Sequence, residues 1–162
     1  MASSLLADPF KLLRLAPLIS SSCSLWYCVD QYMFFNNFIV PANRAQGSQI
    51  LPLYWKSFLI PGLSCIFSLY GLSIGTAVAN LYLGPGKQSG WYAIGAGFSM
   101  AHFLFVPAAS RLINAMIEDE NKGQSWKTMQ KWLRMHAIRS VIVDLPGWLC
   151  FLTAVLQSVE SV

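Results

Sequence analysis

The chain has 162 residues, a length that one soluble domain would fit, yet 55% are hydrophobic, only 11% are charged, and the net charge is +4; its mean hydropathy is +0.48. Soluble domains carry about 25% charged residues because charge keeps their surface wet, so a water-exposed globule is excluded and lipid must be the main solvent. The positive balance calls for no nucleic-acid partner, since basic residues beside an anionic leaflet account for it.

The charges divide the chain. Asp30 is the one charge between Arg14 and Arg44; residues 57–86 and 88–110 have none, with His102 inside the second stretch; after Arg139 only Asp144 precedes Glu160. A spanning helix needs about 20 mostly apolar residues, and its backbone groups must bond within the helix. The pattern predicts spans near 16–38, 57–82, 89–110 and 137–158, an all-α integral membrane four-helix bundle forming a single transmembrane domain over residues 1–162. The first apolar run is read as a span and not as a cleavable leader, because it is too long and holds Trp26, Tyr27 and Asp30.

In chain order, Pro41 and residues 45–48 are expected to break the chain after span one, and Gly84-Pro85-Gly86 to form a tight turn between spans two and three. Span two carries Gly71, Gly75 and Ala79, and span three Ala93, Gly97 and Ala101. Small residues at every fourth position let helices approach closely in lipid, and packing inside the bundle is expected of both stripes. In the third loop, residues 124–135 place Trp126, Met129, Trp132, Leu133 and Met135 on one side and Lys127, Lys131 and Arg134 on the other. Such a pattern predicts a short amphipathic helix lying in the membrane interface. The first and third loops carry eight of the Lys and Arg residues and the opposite side three, so these loops are expected to be cytosolic and both termini lumenal or exterior. An endomembrane such as the endoplasmic reticulum is the expected location.

Polar residues inside spans carry the functional signal. An Asp or Arg at mid-membrane costs at least ~2.5–3.5 kcal/mol and therefore faces the bundle interior or a wet site. On span one, Cys23, Tyr27, Asp30, Phe34 and Asn37 recur at helical spacing, with Tyr32 beside them; span three holds His102, and span four His136, Arg139 and Asp144. Asn37, Asn114, His136 and Arg139 are expected near the basic side and Asp30, His102 and Asp144 deeper, as in a polar pocket open to one leaflet. A purely structural network, with Arg139 neutralising Asp144 or Asp30, fits the same residues. The four cysteines, Cys23, Cys28, Cys65 and Cys150, lack metal-ligand spacing and are read as packing. No phosphate-binding loop or dinucleotide signature is present. His102 deep in its span and His136 near the end of another do not suit the two axial positions of a haem. No metal, haem or flavin is therefore expected.

The run Trp132-Leu133-Arg134-Met135-His136-Ala137-Ile138-Arg139, continued through Asp144 to Pro146, sets a Trp, a polar residue four on, an Arg three further and a proline within the helix. In this it resembles the anthrone oxygenase-like family of small fungal membrane proteins, whose four spans and polar third loop match the whole layout. It departs at His136, where the family pattern has Asn. The resemblance implies oxidation of an anthrone-type polyketide to a quinone by dioxygen, without flavin, haem or metal, on a hydrophobic aromatic substrate. The residues are chemically compatible: His102 or His136 is suited to act as general base, and Arg139, beside Asp144, to stabilise an enolate oxygen. Tyr27, Asp30, Tyr32, Phe34, Asn37 and Trp132 are the expected substrate contacts. A cyclase or isomerase using the same pocket, and a non-enzymatic adaptor or ligand carrier, stay open.

Overall fold

A computed structural model describes residues 8–84 and 86–160; Pro85, in the turn expected between spans two and three, lies outside them. The described residues form helices and turns, with no strand among them. Helix α1 (Pro9–Asn36) starts where Asp8 accepts hydrogen bonds from the Phe10 and Lys11 amides, with Pro9 at the first helical position. α2 runs from Arg44 to Leu83. The third helix is α3 (Ser89–Ala101), a 3₁₀ turn (His102–Phe105) and α4 (Val106–Ile117), and the fourth is α5 (Ser125–Arg139), a π turn (Ser140–Asp144) and α6 (Leu145–Glu160). All four are long and apolar enough to cross a membrane.

Prolines explain both irregular turns. Pro107 has no N–H for the Phe103 carbonyl, which is taken by the Val106 amide across a tighter turn. Pro146 likewise leaves the Ile142 carbonyl without its donor, and Leu145 N–H reaches back five residues to Ser140 O. Wide and tight turns of this kind inside long helices recur at functional sites and hinges.

Three expectations are corrected. The break after α1 does contain Pro41, at 37–43, closed by Arg44 Nε on Ile39 O, but residues 45–48 are helical, because α2 already begins at Arg44. Gly47 makes this return possible, since a Cβ there would sit 2.8 Å from Phe38 O. Residues 124–135 are not a separate interfacial helix. α5 continues into the fourth span without a Gly or Pro to stop it, and Met129, Trp132 and Leu133 are buried against Phe35, Leu51, Trp55 and Met116. The amphipathic pattern was real, but its apolar side meets protein. Finally, the small-residue stripes do not pack inside the bundle: nothing lies within 4 Å of a Cβ built at Gly71, Gly75 or Gly97. The inward faces are Tyr70, Ser73, Ala77 and Asn80 on α2 and Tyr92, Gly95, Ala96 and Ser99 on α3.

The interior mixes buried polar residues with apolar clusters and the outside is apolar, unlike a soluble domain. Ser20 and Ser73 share a buried hydrogen bond of 2.7 Å, Asn80 donates to Leu13 O, and Tyr92 donates to Arg14 O. Leu53, Ile60, Tyr82 and Leu104 point outward. Two apolar cores result, one around Phe35, Trp55 and Trp132 and the other around Ala77, Tyr92 and Phe151. Cys28, His102, His136, Arg139 and Asp144 form a buried polar layer of their own.

Candidate active site

Asp144 is the hub of the polar layer. On an ordinary α-helix, residues five apart point about 140° away from one another, which would separate Asp144 from Arg139. The π turn removes most of that angle, and Arg139 Nε donates to Asp144 Oδ2 at 3.2 Å. The other carboxylate oxygen faces His102 Nδ1 at 2.9 Å. The Cys28 thiol donates to Oδ2 at 3.6 Å and accepts from Arg139 Nη2 at 3.5 Å. All four side chains are buried, so opposite charges and hydrogen bonds must compensate what desolvation costs.

The two histidines differ in what their nitrogens have left to do. His136 Nδ1 lies 2.9 Å from Arg139 Nη2, which can only donate, so this nitrogen accepts. Its Nε2 then carries the hydrogen and donates to the Cys28 carbonyl at 2.9 Å. The ring also stacks on Trp132 with centroids 4.7 Å apart. His136 is therefore fully engaged. In His102, Nδ1 donates to a carboxylate, which leaves Nε2 as the acceptor nitrogen, and Nε2 makes no hydrogen bond among the described residues. Arg139 Nη1 is also without a hydrogen bond there.

His102 and Arg139 both line a cavity of about 280 Å³ whose other walls include Gln31, Trp55, Phe58, Phe103 and Trp132. Tyr70 covers His102 from the far side, ring centroids 3.9 Å apart; its hydroxyl is buried near the Asp144 carboxylate, short of hydrogen-bond geometry. The cavity thus offers a carboxylate-backed imidazole and a guanidinium N–H in apolar surroundings. That is the equipment for removing a proton and holding the oxyanion that results. Among the described residues no group of three or more His, Cys, Asp and Glu could hold a metal ion.

Of the residues expected at the site, His102, His136, Arg139, Asp144 and Trp132 come together. The α1 residues do not. Phe34 is 64% exposed, Asn37 is exposed and donates to Met33 O, and Tyr32 borders outer grooves. Tyr27 and Asp30 are half-buried and do not line the cavity, and Arg139 pairs with Asp144, not Asp30. The inward stripe of α1 is Ser20, Ser24, Cys28, Gln31 and Phe35. It has the same helical spacing as the stripe chosen from sequence, and its serines were the signal for it, because hydroxyls in spans favour helix–helix contacts. Cys28, Gln31, Trp55, Phe58 and Tyr70 were likewise not singled out as site residues.

The probable epoxidase scpX of Mollisia scopiformis is 32% identical over 158 residues, covering 94% of this chain and 99% of the relative. The epoxidase pydX of Acremonium sp is 32% identical over 161 residues, with 96% and 99% covered. The chain belongs to this family. A further member, the epoxidase gkaX of Penicillium citrinum, is 31% identical over 160 residues, covering 94% of this chain and 98% of its own. No described family profile and no solved structure matches the chain. Membership in a family of fungal epoxidases makes the coarser part of the expectation firm, a fungal biosynthetic family, while the anthrone oxygenase-like reading of Trp132 to Pro146 is narrower than these relatives support.

Proposed function

We propose that the protein is a membrane-embedded oxygenase that tailors a hydrophobic fungal metabolite, with epoxidation as its reaction class. The observation that carries this reading is His102 Nε2, unpaired and backed by Asp144, beside an unpaired Arg139 Nη1 in one apolar cavity. The relatives' names supply the reaction class.

His102 takes a proton from an acidic C–H or phenolic O–H. Asp144 holds Nδ1–H in place and offsets the imidazolium charge, as a group that orients a catalytic base does elsewhere. Arg139 Nη1 meets the enolate oxygen. The electron-rich carbon then attacks dioxygen, the oxidant, giving its electron pair to a new C–O bond and leaving a peroxide that takes back the proton held by His102. Where the neighbouring carbon is itself enolic, that carbon attacks the proximal peroxide oxygen. The O–O bond breaks, the enol O–H gives up its proton by way of His102 to the departing hydroxide, which leaves as water, and an epoxide forms beside a ketone. Both electron pairs come from the substrate; one oxygen atom stays in the product and the other leaves as water. Where the oxidised carbon keeps a hydrogen, as in an anthrone, loss of water gives a quinone by the same first steps. A base, a cation and dioxygen suffice for either course.

The test is turnover of extracts from a strain lacking the gene, with purified protein under ¹⁸O₂. The expected product carries one ¹⁸O, and His102→Gln forms it at least a hundredfold more slowly, the scale of losing a general base at roughly 10²–10⁴. Product labelled only from ¹⁸O water, or formed equally without oxygen, would overturn the oxygenase and favour a cyclase or isomerase at the same site.

A further inference from the structure

The cavity is small and its walls are graded. About 280 Å³ lies at the low end for ligand pockets, which run from about 300 to 1,000 Å³, so a ring or two fills it. Its inner wall is buried and holds the polar groups of His102, Arg139, Gln31 and Trp132. On the side of α2 and Val106 its outer wall is apolar and belongs to the outward surface: Leu63, Phe67 and Val106 line the cavity and are 39%, 54% and 42% exposed, while the exposed Ser110 and Asn114 form a separate polar edge. The cavity therefore opens sideways, between α2 and the third helix, onto the apolar surface that the sequence assigns to lipid. Phe67 and Phe103 stack across this gap with centroids 5.5 Å apart and planes 15° apart. Phe103 sits in the 3₁₀ turn directly after His102.

We propose that the site takes a two-part ligand from the side: an oxygenated ring seated against His102 and Arg139, and an apolar chain that leaves over Leu63, Phe67 and Val106 into the surrounding lipid. This rests on the reading of the protein as a membrane enzyme and names the ligand class of that same site. Head size is limited by the enclosed volume, whereas chain length is not, because the chain lies outside it. Phe67 and Phe103, stacked on one another, border the chain with their ring edges where it passes.

The experiment uses full-length protein in nanodiscs and two probes, a methoxy-substituted benzoquinone and the same ring bearing a decyl chain. Binding is read by quenching of tryptophan fluorescence. Val106→Phe narrows the mouth from an outward position. The decyl probe should lose about tenfold or more in affinity, the equivalent of ~1.4 kcal/mol, while the chainless ring changes less than twofold. Membrane partitioning is the same for both proteins and cancels. Equal loss of both probes, no loss of either, or exclusion of the decyl probe by the unaltered protein would overturn the proposal. A photoreactive diazirine midway along the chain gives a second reading without substitution; it should label peptides containing Leu63, Phe67 or Val106, and labelling confined to other segments counts against it. Neither readout involves turnover, so inactivity with chain-dependent binding removes the reaction and keeps the portal.

Discussion

Arg139 and Asp144 stand five residues apart on one helix, yet form a buried ion pair, Nε to Oδ2 at 3.2 Å, because a π turn lies between them. That pair holds His102, His136 and Cys28 in one layer, and its removal should be felt throughout the fold. Asp144→Asn keeps the shape and leaves the Arg139 charge uncompensated. Breaking a buried pair from one side costs about 3–5 kcal/mol, so folded yield and Tm in detergent should drop sharply. The double change Arg139→Met with Asp144→Leu removes both charges and should recover much of the Tm without recovering activity. Equal Tm loss in single and double variants would show that the pair does not carry the fold.

The two histidines should separate in assay. His102→Gln can still donate an amide N–H toward Asp144, so Tm should move little, while loss of the base lowers turnover by roughly 10²–10⁴. His136→Gln loses a stacked ring and disturbs two buried hydrogen bonds, at about 1–3 kcal/mol for a buried group left unpaired. Its main effect should be on Tm. Full turnover by His102→Gln would move the base to another group, with Asp144 next in line.

Two glycines two residues apart on α3 should behave oppositely. A Cβ at Gly95 would lie 2.5 Å from the Phe151 ring, whereas a Cβ at Gly97 meets nothing within 4 Å. Gly95→Ala should lower stability by about 1–3 kcal/mol, the range for overpacking. Gly97→Ala should be neutral or slightly stabilising, since Ala is the better helix former. Thermal melts in detergent decide this, and loss of stability in Gly97→Ala would mean that its face is covered by another chain.

Orientation follows from charge. Leaving out Arg139, which is buried in the site, seven basic residues lie in or near the first and third connections and three on the other side, so those connections are expected in the cytosol. A reporter fused at the C-terminus and active only in the cytosol should be silent. An active one would invert the bundle and place the Ser110 and Asn114 edge of the cavity mouth toward the opposite leaflet.

Four long apolar helices, and the presence of ionisable groups inside them, were fixed by sequence alone. The cost of charge in lipid acts on each residue wherever the chain leads, so 57–86 and 88–110 announce themselves without a partner. His102, His136, Arg139 and Asp144 stood out for the same reason. Which face of α1 points inward was not fixed, because two stripes share its helical spacing and the helix is apolar on nearly every side. The amphipathic run 124–135 showed a buried face without saying what buries it; Phe35, Trp55 and Met116 come from distant parts of the chain. Only the tertiary structure gave the histidines different tasks. A ring nitrogen is free or engaged according to what the fold brings within 3 Å of it, and for His136 that is the Cys28 carbonyl, 108 residues away.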